Sequence, residues 1–519
     1  MKKLVVLLTL IYSVAGLAQN KRVLFVVTNH TQLGNTGETT GYFLSEVTHP
    51  LEVLTKELQK SPLRFDASKY TTQQVTQGDQ TFTVRAYEGI VYVANPVEEQ
   101  YQQLNLYIPE AYFNGETING FNAQSAPIFF PNGVGGYMPA KPLSLTGGKF
   151  KDTNNSLIMA LSKGFVVASP GARGRTSATG KAPAVIVDLK AAVRYLKYND
   201  KEIPGDANKI ISNGTSAGGA SSALLGASGD QAAYEPYLKE LGAAPATDAI
   251  FAVSAYCPIT NLENADKAYE WQFGNLNQYK TMEVSMLDYN VQRTYKTGTF
   301  TAEQAKVSAD LRKDFPAYLN SLQLKDSKGK RLTLNSKGEG SFKELLKQTI
   351  IAAAEKAQKE GTDLSQYSFL TLKNGKVTAI NWEGYITYME RHKSPPAFDA
   401  LDLSTGENQL FGDATTDKKH FTPYALKNSL VESQMADANI VKLMNPMSFI
   451  GKKNAHLAKH WRIRHGAKDS DTSAAISLIL ATALQNNHYP VDYALPWDKP
   501  HSGDYDLGEL FTWAEKISK

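Results

Sequence analysis

Short apolar runs closed by glycine, proline or polar residues alternate along this chain with stretches in which apolar residues recur every three or four positions. The runs at 127–130, 165–169, 209–212, 250–256, 461–465 and 491–495 have the length and the β-branched or aromatic content of buried strands. Between two of them, Ile186, Leu189, Val193 and Leu196 mark one face of an amphipathic helix over 184–198, and 220–227 and 473–484 read as further helices. Strands alternating with helices in this order predict an α/β fold, a mostly parallel doubly wound sheet with helices on both faces.

Two stretches break that pattern. From 276 to 430 the chain is Lys-rich and helix-favouring, as at 342–358, with no comparable series of buried runs. This predicts a large inserted lid domain between a first part of the core at 75–275 and a second part at 431–519. At the other end, 19–65 holds one βα unit, with an apolar strand at 23–27, a polar turn and an amphipathic stretch over 43–58. Ahead of it, Lys2 and Lys3 precede an apolar run at 4–14 and the small-x-small set Gly16, Leu17 and Ala18. That order predicts a secretory signal over 1–18, cleaved after Ala18, and a secreted protein, periplasmic or extracellular. No later apolar run is long enough to span a membrane.

Composition narrows the function classes. With 519 residues, 42% of them hydrophobic and 20% charged, the chain has ample material for a core. The net charge of +4 is small and scattered, which leaves no phosphate-binding footprint and argues against nucleic acid as a partner. Export would permit disulfides, but Cys257 is the only cysteine, so no intramolecular bridge can form. Its place in the apolar run at 250–256 marks a core residue rather than a cysteine nucleophile.

The chemistry centres on Gly214-Thr215-Ser216-Ala217-Gly218-Gly219, which follows the run at 209–212 and opens a small-residue helix. A serine on a sharp strand-to-helix turn needs glycine two positions away on either side, so that strand and helix can approach. An unactivated serine is a poor nucleophile and requires a histidine held by a carboxylate, in the chain order Ser, Asp or Glu, His. His501 fits, in the loop after the last strand, whereas His465 ends a strand and reads as a core or supporting group. Asp469 and Asp471 share the loop after the penultimate strand. Asp469, four residues after the His465-Gly466 strand end, is preferred as the orienting acid, leaving Asp471 to face a pocket or cap the next helix. An oxyanion would be met by the N–H of Ala217 and by Gly135 or Gly136 in the glycine-rich loop at 132–137. This chemistry needs no cofactor and no metal.

Longer motifs carry a family resemblance. FFPNGVGGYMPA, PGARGR, NGTSAGG, HKSPPAFDALDLSTGENQLFG, RHGAKDSDTS and ALPWDKPHSGDYD, spread from about residue 80 to the C-terminus, resemble bacterial tannases, tannin acylhydrolases of the α/β-hydrolase fold. The resemblance implies Ser216, Asp469 and His501 as the triad, and Lys393, Glu407 and Asp471 as the polar trio that binds the galloyl hydroxyls. Two carboxylates and one ammonium can satisfy three adjacent ring hydroxyls, so the trio makes chemical sense as well. By itself, however, each of Lys393 and Glu407 reads as an ordinary solvated charge. The opening run VLFVVTNHTQLGNTGETTGYFLSEVTHPLEVL resembles the start of the DJ-1/PfpI family, with Glu46 at that family's glutamate. The elbow cysteine of such enzymes is missing, so the segment reads as an appendage.

The expected activity is hydrolysis of gallate esters of tannins through an acyl-enzyme, with a small phenolic ester as the partner. The alternative is a feruloyl-type or general carboxylesterase with the same triad. A catalytically silent binding module is disfavoured by the presence of all three triad residues.

Overall fold

The buried runs assemble side by side in a computed structural model that describes residues 62–145, 156–287 and 290–519. The secretory signal and nearly all of the DJ-1-like segment expected at 19–65 lie outside the described residues. Nine strands form one sheet: Thr71–Gln77 (β1), Gln80–Val91 (β2), Gln103–Pro109 (β3), Pro127–Pro131 (β4), Val166–Pro170 (β5), Asp206–Thr215 (β6), Ala252–Tyr256 (β7), and, after four strands outside it, His460–Arg464 (β12) and Val491–Ala494 (β13). The other four make two antiparallel hairpins, Gln278–Leu287 (β8) with Asn290–Thr299 (β9), and Leu370–Lys373 (β10) with Lys376–Ile380 (β11).

The spatial order is β1-β2-β3-β5-β4-β6-β7-β12-β13. The first three strands pair antiparallel and β3 meets β5 antiparallel. The remaining pairs are parallel. Every residue of β4, β5 and β7 is buried, as strands covered on both faces must be. Helices Ala184–Tyr198, Ala217–Ala227 and Ala474–Asn486 stand where the sequence places helices, and a further helix, Leu507–Ser518, closes the chain. Among the described residues, no helix is long and apolar enough to cross a membrane.

Two features of this topology place the site. After β4 the chain returns to lay β5 on one side of it and then β6 on the other. The connections leaving β4 and β6 therefore diverge and open a crevice at their carboxyl ends. Register does the rest: Thr215 pairs with Tyr256, Tyr256 with Arg464, and Arg464 with Ala494. Four strands thus end level, and the loops after them emerge on one rim.

Between β7 and β12 the chain leaves the sheet for residues 257–459. That excursion begins earlier and returns later than the stretch of altered composition, because the helix Leu262–Phe273 is as densely buried as the core while lying outside the sheet. It also contains helices Ala302–Ser321, Ser341–Lys359 and Trp382–Met389 and both hairpins.

Candidate active site

Ser216 sits between β6 and the helix Ala217–Ala227 with φ 60° and ψ −122°, a conformation that costs a non-glycine residue on the order of 1–3 kcal/mol. The turn is held because Ser216 N–H donates to the Tyr256 carbonyl at 2.9 Å. The close approach explains Gly218: a Cβ there would press into the Asn132 side chain and the Val134 carbonyl. The helix starts at Ala217, so its unpaired first N–H groups and partial positive charge converge beside the serine hydroxyl.

The loops on the rim bring the sequence candidates together. His501 Nε2 lies 2.8 Å from Ser216 Oγ, and His501 Nδ1 lies 2.8 Å from Asp469 Oδ2. Asp469 is fully buried and also accepts the N–H groups of Asp471 at 2.9 Å and Thr472 at 3.3 Å. Burial opposes charge on Asp469, but His501 and then His465 hold its carboxyl below the ordinary aspartate range. Burial likewise opposes charge on His501, and is outweighed by Asp469 and then Asp471, which raise its imidazole well above the usual histidine value. The loop carrying His501 is stitched to the one carrying Asp469 by Ala467 N–H to the Pro496 carbonyl at 2.9 Å and Lys468 N–H to the Lys499 carbonyl at 3.0 Å.

His465 belongs to this cluster as a supporting group. It is buried, its Nε2 stands 3.7 Å from Asp469 Oδ2, and among the described residues neither ring nitrogen has a hydrogen-bond partner. Burial holds its imidazole below the ordinary value, opposed by Asp469. Cys257 is a buried residue as expected, yet it sits closer to the chemistry than its apolar neighbours suggest. Its thiol donates to the Ser502 carbonyl at 3.4 Å, and its sulfur lies with ligand-type atoms of Asp469 and His501 in a group spanning no more than 4.8 Å. Burial, then the Asp469 charge, pushes this thiol up, away from the thiolate that a metal or an electrophile would need.

The loop after β4 folds against the serine turn. Asn132 is the clasp: its Nδ2 donates to the Asn213 carbonyl at 3.1 Å, the Gly218 carbonyl at 3.2 Å and Ser222 Oγ at 3.0 Å. Gly136 and Tyr137 follow with φ of 54° and 55°. Arg175, which sequence reading passed over, joins this loop to the helix Gly406–Leu410: its Nε donates to the Gly136 carbonyl at 2.8 Å and its Nη1 to Gln409 Oε1.

The trio named by resemblance lies at the same rim. Lys393 Nζ is 3.4 Å from Asp471 Oδ2, and Asp471 Oδ2 is 3.6 Å from His501 Nε2. All three trio residues are part-buried. Burial opposes charge on Lys393, but Asp471 and then Glu407 raise its ammonium above the ordinary lysine value. Burial pushes the Glu407 carboxyl up, with Lys393 pulling it back, whereas Asp471 is held low by Lys393 and then His501 against its own burial. Lys393 Nζ also stands 4.2 Å over the Phe398 ring, so its ammonium meets a carboxylate and an aromatic face together.

A second Ser–His–Asp series was not apparent from sequence. His420 Nδ1 lies 2.7 Å from Asp399 Oδ1 and its Nε2 2.9 Å from Ser429 Oγ, but both His420 and Asp399 are fully buried and Ser429 Oγ also bonds the Val431 carbonyl at 2.8 Å. Asp399 accepts Asn408 Nδ2 at 2.7 Å, so this network braces the helix that carries Glu407.

Residues 145–303 match the family model described as BD-FAE. No curated protein matches. Among solved structures, a tannase from Lactobacillus plantarum has 46% identity and a TM-score of 0.86 over 88% of this chain and 100% of its own. A Fusobacterium nucleatum tannase has 51% identity and a TM-score of 0.84 over 88% of this chain and 99% of its own. A tannin acyl hydrolase in complex with ethyl gallate has 46% identity and a TM-score of 0.84, over 89% and 100%. With that identity sustained across the full length of these neighbours, on the same α/β-hydrolase sheet, the chain belongs to the tannases.

Proposed function

We propose that the protein is a serine carboxylic-ester hydrolase that cleaves gallate esters of tannins through an acyl-enzyme. The observation that carries this reading is the unbroken series Asp469, His501, Ser216, with both links at 2.8 Å, opening beside the Lys393–Asp471 pair. The ethyl gallate and 3,4-dihydroxybenzoate complexes of tannin acyl hydrolases support the choice of a hydroxylated aromatic acyl group.

Ser216 Oγ attacks the ester carbonyl carbon while its proton passes to His501 Nε2, and Asp469 stabilises the resulting imidazolium. The oxyanion accepts N–H groups from Ala217 and from Gly135 or Gly136. The intermediate collapses as the carbon–oxygen bond to the alcohol breaks, and His501 returns the proton to the leaving oxygen. Water then attacks the galloyl-serine, giving up a proton to His501, and collapse frees gallic acid and the Ser216 hydroxyl. Lys393, Glu407 and Asp471 bind the ring hydroxyls during these steps, and the insertion at 276–430 serves as the lid that shapes the pocket. Lys2, Lys3 and the apolar run after them support export of the enzyme. A secreted form whose N-terminus is Gln19 would bear this out.

Methyl gallate should exceed both methyl ferulate and methyl benzoate in kcat/KM by about 100-fold or more, because a ring lacking a hydroxyl strands a polar partner in the pocket. Equal use of the three esters would remove the tannin assignment and leave a general carboxylesterase.

The pH profile offers a separate check. A general base must be neutral, and His501 binds its proton more tightly than an ordinary histidine, so kcat/KM should fall as pH drops through a value above 6.5. Asp471→Asn removes one of the two carboxylates that raise His501, so the acidic limb should move to lower pH. Reading it with p-nitrophenyl butyrate avoids the change in ring binding. A limb that stays in place or moves upward would show that Asp471 does not act on the imidazole.

A further inference from the structure

Two members of the trio come from segments distant in sequence: 391–393 brings Lys393, and the loop after β12 brings Asp471 next to the triad acid. A buried hydroxyl joins them. Tyr269, on the helix Leu262–Phe273, is fully buried and accepts the N–H of His392 at 3.2 Å and the N–H of Lys393 at 3.1 Å. It donates to the carbonyl of Ser470 at 2.8 Å, and Ser470 stands between Asp469 and Asp471. One donor and two acceptor positions exhaust a phenolic hydroxyl, so every bond Tyr269 can make is spent on main chain that carries the site.

The same helix secures the neighbours. Glu270, one residue on, pairs with Arg391 in a fully buried ion pair, and Arg391 Nε donates to the Lys393 carbonyl at 2.6 Å. Asp266, one turn back, accepts the N–H of Phe398 at 2.7 Å and of Asp399 at 3.1 Å, which leads into the brace beneath Glu407. Positions 266, 269 and 270 share one helix face. The main chain of Lys393 is therefore held from both sides, and its ammonium stands 3.4 Å from Asp471.

We propose that Tyr269 is a positioning residue for ring recognition, setting the spacing between Lys393 and Asp471 and so the preference for polyhydroxylated acyl groups; this rests on the substrate reading above. It touches neither the nucleophile nor the imidazole. Loss of its hydroxyl leaves two N–H groups and one carbonyl unpaired in the interior, and the cheapest relief is for 391–393 to move outward and admit water. The ring itself, tilted against Phe273 at 4.7 Å and edge-on to Phe398, is kept in Tyr269→Phe.

The test compares wild type, Tyr269→Phe and Arg391→Lys on methyl gallate and p-nitrophenyl butyrate. Arg391→Lys keeps a cation opposite Glu270 but removes the bond to the Lys393 carbonyl, so it probes the same tether independently. Each variant should raise KM for methyl gallate about tenfold or more, the equivalent of about one lost hydrogen bond to a buried group, with kcat changed less than about threefold. Hydrolysis of p-nitrophenyl butyrate should change less than about threefold. Tyr234→Phe, which removes a buried hydroxyl bonded at 2.6 Å to the Leu443 carbonyl, controls for a general loss of stability and should alter neither ester. An unchanged KM for methyl gallate in folded Tyr269→Phe would overturn the proposal whatever Arg391→Lys shows, as would equal losses on the two esters. A wild-type enzyme without preference for methyl gallate would overturn the substrate reading instead, and that arm is read before any variant.

Discussion

Ser216→Ala should lower kcat for methyl gallate by about 10⁵- to 10⁶-fold, the scale on which removal of a triad nucleophile acts in serine hydrolases. The large size follows from the lost step: without Oγ no acyl-enzyme can form, and His501 has only water to activate. What survives is the oxyanion site and the ring pocket. The fold should be unaffected, because alanine pays the same strain at φ 60° that serine already bears. Gallic acid should therefore bind the variant with affinity near that of wild type, measurable by calorimetry. Residual turnover above about one per cent of wild type would mean that another group attacks the ester, and the second serine series at Ser429 would be the first place to look.

Asp469→Asn should cost about 10⁴-fold in kcat with little change in structure, because an amide offers its N–H₂ where the imidazole also presents a proton. The buried carboxylate accepts from His501 Nδ1 and from two main-chain N–H groups, and an asparagine that keeps its oxygen on the main-chain groups must turn its Nδ2 donor onto His501. His501 then loses the partner that fixes its tautomer and stabilises its charged form. His465 stands 3.7 Å from the same carboxylate and, among the described residues, neither ring nitrogen has a hydrogen-bond partner, so the substitution also removes the charge beside it. The measurement is kcat on methyl gallate together with the acidic limb of the pH profile, which should shift downward as the raising charge is lost. A variant retaining more than about a tenth of wild-type kcat would assign the orienting role elsewhere, with Asp471 the nearest candidate.

Much of this site is legible in the sequence, unevenly and for physical reasons. Ser216 was legible because a strained turn between strand and helix demands small residues at fixed offsets, and those offsets are local. His501 and Asp469 were legible because the loops that carry them follow recognisable buried strands in a set order. Lys393 and Glu407 were legible only through resemblance: each is a charged residue in a polar stretch, and nothing nearby distinguishes it from a solvated one. Arg175, Tyr269 and the Glu270–Arg391 pair went unread. Their partners lie far away along the chain, 201 residues for Tyr269 and Ser470 and 121 for Glu270 and Arg391. The antiparallel flank β1–β3 was indistinct for a different reason, since β1 is mostly exposed and its Thr- and Gln-rich run lacks an apolar signature.

From residue order alone came the α/β alternation, the serine elbow and the ranking of its partners, because period, turn chemistry and loop order are written within a few dozen residues. Chain folding settled what distances along the sequence cannot carry: the level ends of β6, β7, β12 and β13 that bring His501 across 285 residues to Ser216, and the hydrogen bonds that tie the helix Leu262–Phe273 to residues 392–399 and to Ser470. Those outcomes depend on register and on hydrogen bonds between remote main-chain groups, which any sequence with the same local pattern could leave unmade.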